Sequence, residues 1–211
     1  MSSPELYLVD AIPKAASLLV DRYVPVDMRI QSLLPGGGLR KGAAIRMTGV
    51  DGDGLYGSIA LMIGEATRRG LWVALVNLGD LGFEAMVQSG VDLARVVVIS
   101  DVTAQPQTLQ GVVEAFPVVV SGMSLSPANA QRLLGRVRER ETAFIAVERT
   151  ERFRLARSQR FPASVELTLQ AKGGGWSLGN SRDSGQLLRS HARRLVLLHK
   201  GHERSVSADV S

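Results

Sequence analysis

The glycines in the stretch GVDGDGLYGS, residues 49–58, have the spacing of a phosphate-binding loop. A P-loop has the form G-x-x-x-x-G-K-[ST], in which backbone N–H groups surround the phosphates, the lysine contacts them and the hydroxyl binds magnesium. Gly49 and Gly54 match the two glycines, but Leu55 replaces the lysine and Tyr56 replaces the serine or threonine. The spacing therefore predicts the shape of the loop, whereas the residue types lack its chemistry.

Two acidic residues add to this mismatch. Asp51 and Asp53 place carboxylates inside the loop that would surround the phosphates. Loss of one partner of a buried charge pair costs about 3–5 kcal/mol, and about 1.4 kcal/mol corresponds to a tenfold change in affinity. We therefore expect no ATP hydrolysis and no bound nucleotide or other cofactor, and we interpret the loop as a turn that joins a strand to a helix.

The composition predicts one globular domain. Of the 211 residues, 45% are hydrophobic and 21% are charged. The absence of cysteine excludes disulfides, thiolate zinc sites and cysteine nucleophiles, and the three histidines lie near the C-terminus without an acidic cluster that would favour a metal site. We find neither a signal-peptide pattern nor an apolar run of about 18 residues, which favours a cytoplasmic protein without membrane contact.

Short β-rich runs alternate with longer helical ones from Ala43 onward. Predicted strands are AAIRMT, LWVALVNL, RVVVIS, PVVVSG and AFIAVE, and predicted helices cover residues 57–69, 82–89, 105–115 and 127–140. Apolar strands separated by helices indicate an α/β fold, with a mostly parallel sheet flanked by helices.

The ends of the chain have a different pattern from this core. Residues 1–40 are predicted to form an N-terminal extension with a helix and a Gly/Pro-rich loop, residues 41–200 the core, and residues 201–211 a flexible tail. After the α/β part, ASVELTLQ and RRLVLLH predict antiparallel edge strands, and AKGGGWSLGN predicts a hairpin turn that enters another strand.

Four segments in order resemble the core of the bacterial recombinase RecA. They are GGLRKGAAIRMTG, EATRRGLWVALVNL, SGVDLARVVVIS and FPASVELTL, over about residues 30–170. The resemblance implies a RecA-like core. Where that family has a magnesium-organising aspartate at a strand end, this chain has Ser121, and near the position of the catalytic glutamate the nearest acid is Asp80. The resemblance therefore implies a pseudo-ATPase with degenerate Walker A and Walker B positions and no catalytic residue.

Degenerate RecA-like chains of this length resemble the shortened ImuA-type accessory proteins of actinobacterial mutasomes. This implies a non-catalytic adaptor of the SOS response that supports translesion synthesis and induced mutagenesis, and that associates with the nucleoid when DNA is damaged. The implied partner is an ImuB-type Y-family polymerase homologue, with an error-prone replicative-type DNA polymerase contacted indirectly and RecA as a further candidate. The alternatives are a SulA-type cell-division inhibitor and an atypical NTPase.

Arginines supply a basic region. The net charge is +5, and residues 132–160 contain nine arginines against four acids. Five of them follow the AFIAVE strand, roughly where a RecA core places a DNA-binding loop, namely Arg149, Arg152, Arg154, Arg157 and Arg160. We expect weak, salt-sensitive binding to single-stranded DNA, and the alternative is a solvated surface. On the preceding helix, Arg132, Arg136 and Arg140 form a second stripe at i, i+4 spacing.

Two segments are candidates for partner contact. Residues 186–204 contain both apolar and basic side chains. The proposed contacts with the polymerase homologue are Leu187, Leu188, Arg189, Arg193 and Arg194. Residues 5–34 carry an apolar set that is predicted to cover the sheet or to pair with another copy. Apolar surface rimmed by charge is typical of protein-binding sites, although both segments could instead fold back on their own domain.

Overall fold

A computed structural model describes residues 22–50, 54–79, 81–100, 106–150, 161, 165–180, 186–199 and 202–210. Its strands are β1 (Tyr23–Pro25), β2 (Gly38–Arg40), β3 (Ala44–Val50), β4 (Val73–Val76), β5 (Val96–Ile99), β6 (Val118–Ser121), β7 (Ala143–Thr150), β8 (Leu167–Asn180), β9 (Gln186–His199) and β10 (His202–Val210). Its helices are α1 (Met28–Gln31), α2 (Leu55–Arg68), α3 (Phe83–Gln88), α4 (Pro106–Ala115) and α5 (Pro127–Glu139).

Eight of the strands form one sheet in the order β10-β9-β8-β3-β7-β6-β4-β5. The six strands from β8 to β5 in this order are parallel to one another, whereas β9 is antiparallel to both β8 and β10. β1 and β2 form a separate antiparallel pair. The predicted fold class is confirmed, because the sheet is mostly parallel, is flanked by helices and has antiparallel C-terminal edge strands. This architecture is consistent with a RecA-like core.

The central strands are buried on both faces. Every residue of β4 and β6 is buried, which explains their continuous apolar sequences VALV and VVVS. One face packs against α2 and the other against α4 and α5. The predicted start of α5 is confirmed, because the Ser126 hydroxyl accepts a hydrogen bond from the Asn129 N–H and Pro127 opens the helix.

α2 is enclosed by the sheet on one side and by the N-terminal segment on the other. Five consecutive side chains, from Ile59 to Ile63, have no exposed surface. Such a helix must be covered all round, and Val24, Val26 and Ile30 share one apolar cluster with it. The described part of the predicted N-terminal extension, residues 22–40, therefore folds back on its own domain.

A capped turn holds this N-terminal segment against α2. The Asp27 backbone N–H donates to the Leu61 carbonyl at 3.0 Å, and the Asp27 carboxylate accepts from the backbone N–H and the guanidinium of Arg29. These bonds to Arg29 lower the pKa of Asp27 despite its burial. The segment from β1 to β2 thereby covers α2 as a fixed layer.

Two predictions for the C-terminal part are wrong. The stretch AKGGGWSLGN is not a hairpin turn but lies within β8, where the pairing with β9 shifts between Gly173 and Trp176. Glycines inside a strand commonly mark such irregularities, so they resembled a turn in the sequence. The part predicted as a flexible tail instead contains β10 (residues 202–210), which pairs along its length with β9, and the half-buried Val206 packs against the core.

The four helices predicted for the α/β part agree with α2 to α5 to within two residues. Among the described helices, none combines the length and the apolar character needed to cross a bilayer.

Candidate functional site

The flanks of the P-loop-like stretch have the predicted strand-to-helix geometry. Gly49 lies in β3, and Gly54 is the N-cap of α2 with a positive φ of 80° that favours glycine. A Cβ atom on Gly49 would lie 3.2 Å from the Leu55 Cβ and 3.3 Å from the Ala171 Cβ. Both glycines are therefore explained by backbone geometry and close packing. Asp51 and Asp53 lie outside the described residues.

Leu55, at the position of the P-loop lysine, is a core residue. Its side chain is 2% exposed and belongs to the apolar cluster that contains Met47, Leu169 and Ala171. This side chain packs into the protein rather than into a space where a phosphate could be bound. The described residues therefore supply no cation at this position.

Tyr56, at the position of the metal-binding hydroxyl, joins three elements of the chain. Its hydroxyl donates a hydrogen bond to the Leu78 carbonyl just beyond β4, and it accepts one from Arg149 Nη1 at the end of β7 at 3.1 Å. The guanidinium lies over Gly79, since a Cβ atom on that residue would approach Arg149 Nη1 to 2.9 Å. The phenol oxygen is thus engaged in contacts within the chain.

Ser121, at the degenerate Walker B position, also has a structural role. The side chain is 2% exposed, and its hydroxyl accepts a hydrogen bond from the Met123 N–H at 3.2 Å. The next residue, Gly122, donates its N–H to the Val76 carbonyl, and a side chain there would collide with the Asn77 carbonyl. The end of β6 is therefore packed closely against the end of β4. Asp80 lies outside the described residues.

A buried ion pair lies beneath this end of the sheet. Arg46 Nε of β3 is 2.9 Å from Glu148 Oε1 of β7, and Glu148 is only 7% exposed. Arg46 Nη2 also donates to the Phe161 carbonyl at 2.6 Å, while the Phe161 N–H donates to Glu148. Sequence analysis did not predict this pair, although an arginine inside an otherwise apolar strand signals a paired charge.

The basic candidates are only partly described. Arg149 is exposed at its position beside Tyr56, whereas Arg152, Arg154, Arg157 and Arg160 lie outside the described residues. On α5, Arg136 pairs with Glu139 at 2.9 Å and with Glu114 at 3.7 Å, and Arg140 reaches Glu114 at 4.0 Å. The α5 stripe is therefore partly neutralised by neighbouring acids.

The candidate partner-binding residues lie on β9, between β8 and β10. The side chains of Leu187, Leu188, Arg189 and Arg193 lie outside the described part, and Arg194 is exposed. The following residues Leu195, Val196 and Leu197 are buried. This segment is thus part of the sheet, and its deletion would remove core strands. Partner binding is therefore tested by substitution of single exposed side chains.

The opposite, amino end of the sheet contains a cavity that sequence analysis missed. Its volume is about 490 Å³, and it is lined by Arg40, Lys41, Gly42, Ala43, Ala44, Leu134, Arg138, Glu141, Val165 and Glu166. These residues come from the turn between β2 and β3, the last turns of α5 and the approach to β8. Because they are distant in sequence, no local spacing could have predicted the cavity.

The described residues contain no group of three or more histidine, aspartate or glutamate side chains suited to a metal ion. Fold and site together define an α/β protein, consistent with a RecA-like core, whose described Walker-like positions serve packing and hydrogen bonding within the chain. A family model for the MT3502 N-terminal domain matches residues 32–152, and the chain belongs to this family. That match extends from just after α1 to just beyond β7 and thus includes both flanks of the loop. No curated protein matches the chain.

Proposed function

We propose that this protein is a non-catalytic RecA-like adaptor of the DNA-damage-induced mutasome, similar to the shortened ImuA-type accessory proteins. It supports translesion synthesis through protein contacts, with an ImuB-type Y-family polymerase homologue as its direct partner. An error-prone replicative-type DNA polymerase is engaged indirectly, and RecA is a further candidate partner. In this proposal the protein acts in the cytoplasm and associates with the nucleoid when DNA is damaged.

The burial of Leu55 is the observation that supports this proposal most strongly. Phosphoryl transfer depends on cations and a held magnesium ion that stabilise the developing negative charge. Leu55 lies in the apolar core and the Tyr56 hydroxyl bonds to Leu78 and Arg149. With these two positions used for packing and hydrogen bonding, a function through contacts is favoured over turnover of nucleotide.

The nucleotide part of the proposal is tested by calorimetry with magnesium-ATP on the full chain. We expect no binding tighter than about 100 μM, since loss of the lysine alone weakens binding on the order of a hundredfold or more. Turnover that a change of Gly54 abolishes would instead establish the alternative of an atypical NTPase.

The partner is tested by co-purification with the ImuB-type homologue. Arg194 is the exposed candidate contact on β9, and Arg132 is an exposed arginine on α5 that serves as a matched control. We expect Arg194→Glu to weaken capture of the homologue and Arg132→Glu to leave it unchanged, because only the first reverses a charge on the proposed surface.

Two other outcomes would change the proposal. Equal capture by both variants would move the contact away from β9. The SulA-type inhibitor would be favoured by a different set of results. The unmodified protein would fail to capture the homologue, would capture the GTPase of cell division instead, and would cause filamentation on overexpression.

A further inference from the structure

The cavity at the amino end of the sheet is formed by a close approach of two turns. Gly42 has a positive φ of 72°, and a Cβ atom on it would lie 3.5 Å from the Arg138 Cα and carbonyl oxygen. Its N–H donates to the Thr142 carbonyl at 3.1 Å. The turn between β2 and β3 is thereby held against the end of α5, which brings Lys41 and Arg138 to one cavity.

The charges around the cavity are not balanced. Arg40 Nη1 lies 3.5 Å from Glu166 Oε1, so these two charges offset each other. Within the described residues, no acidic side chain lies within 4.0 Å of the charged nitrogens of Lys41 or Arg138. Glu141 is the other acid of the lining. Two cations therefore face the cavity against one carboxylate.

The remaining lining is apolar. Ala43 and Val165 are half-buried there, Leu134 and Ala44 are almost fully buried, and among the described lining residues there is no aromatic side chain. Single-stranded nucleic acid is bound by cationic grooves that carry aromatic platforms for the bases. Aliphatic side chains beside cations instead suit a peptide that presents carboxylates next to an apolar side chain. A volume of about 490 Å³ lies within the usual range for binding pockets and accommodates a few residues.

From this arrangement we infer that the cavity is a docking site for an acidic peptide segment with an apolar anchor, contributed by a partner protein. Lys41 and Arg138 bind its carboxylates, and the half-buried Ala43 and Val165 contact the apolar side chain. Glu141 opposes binding of an acid on its side of the cavity. The inference rests on the proposed adaptor function, for which it specifies the chemistry of one partner contact.

Fluorescence anisotropy with a labelled peptide of aspartates around a central leucine pair tests this inference on the full chain. We expect Lys41→Glu with Arg138→Glu to weaken binding by roughly tenfold or more, because two attractive contacts become repulsive. Glu141→Gln should strengthen binding about two- to threefold, since it removes a like charge. Arg132→Glu, on the same helix but outside the cavity, is the matched control and should change little.

Two further probes distinguish the occupant. A peptide with serines in place of the leucines should bind more weakly, and an oligo(dT) strand should be insensitive to the cavity substitutions. The inference is overturned if the serine peptide binds equally well, if reversal of Lys41 and Arg138 has no effect, or if those reversals abolish oligo(dT) binding instead.

Failure of this inference is distinguishable from failure of the adaptor function. If reversal of Lys41 and Arg138 leaves the affinity for the acidic peptide unchanged while the unmodified chain captures the ImuB-type homologue, the cavity inference fails and the adaptor function survives. If the unmodified chain binds the acidic peptide with the expected sensitivities but captures no homologue, the cavity inference stands and the choice of mutasome partner fails.

Discussion

The two ends of the parallel sheet use their polar residues differently. At the carboxyl end, the glycines have P-loop spacing, but the polar side chains beside them form hydrogen bonds within the chain. Tyr56, for example, bonds to Leu78 and Arg149. At the amino end no motif is present, yet Lys41 and Arg138 face a cavity without acidic partners among the described residues. The spacing of a motif thus specifies a backbone shape, whereas the partners of its side chains decide whether a ligand can bind.

The largest effect is expected from restoring the P-loop lysine. Leu55→Lys should lower the free energy of unfolding by more than about 3 kcal/mol, because an ammonium group would be placed in an apolar cluster without a partner. Leu55→Met is the control and should cost less than about 1.5 kcal/mol. Urea denaturation measures both. A stable Leu55→Lys variant that binds magnesium-ATP would show that the carboxyl end is still a nucleotide site.

Breaking the ion pair at the carboxyl end should have the next largest effect. Glu148→Ala should cost about 2–3 kcal/mol, since it removes the carboxylate that faces Arg46 Nε and accepts from the Phe161 N–H. The remaining bond from Arg46 Nη2 to the Phe161 carbonyl and the 22% exposure of Arg46 moderate the loss. Glu148→Gln retains an acceptor and should cost less. Denaturation curves that show equal stability for both variants and the unmodified protein would refute a structural role for this pair.

Removal of the Tyr56 hydroxyl should have a moderate effect. Tyr56→Phe should lower the free energy of unfolding by about 1 kcal/mol, because the Leu78 carbonyl loses its donor. Tyr23→Phe is a suitable control, since no hydrogen bond of the Tyr23 hydroxyl is seen among the described residues and its ring contacts Gly36 instead. Thermal unfolding of the two variants gives the comparison, and identical shifts would contradict the proposed bond.

The smallest effect on stability is expected at the amino end. Lys41→Ala with Arg138→Ala should change the free energy of unfolding by no more than about 0.5 kcal/mol, because neither cation has an acidic partner in the described part. The same variant should lose affinity for the acidic peptide. A destabilisation as large as that of Glu148→Ala would mean that both ends of the sheet use their charges for structure.

Much of the fold could be predicted from local pattern. The runs VALV and VVVS specify doubly buried strands, and Ser126 followed by Pro127 specifies a helix start, because period, capping and burial depend on neighbouring residues. The glycine-rich part of β8 was mistaken for a turn, since the stability of that strand comes from pairing with β9 across the hairpin. The formation of β10 as a strand likewise depends on its pairing with β9.

For the candidate site, too, the sequence and the tertiary structure determined different properties. By itself the sequence determined that Leu55 and Tyr56 cannot act as a lysine and a metal-binding hydroxyl, since residue type alone excludes that chemistry. Only the tertiary structure decided where these side chains lie: Leu55 against Gly49 and Ala171, and Tyr56 between the ends of β4 and β7. It also brought Lys41 to Arg138, because a glycine with a positive φ holds a turn against a helix end that is remote in sequence, and such contacts leave no local pattern.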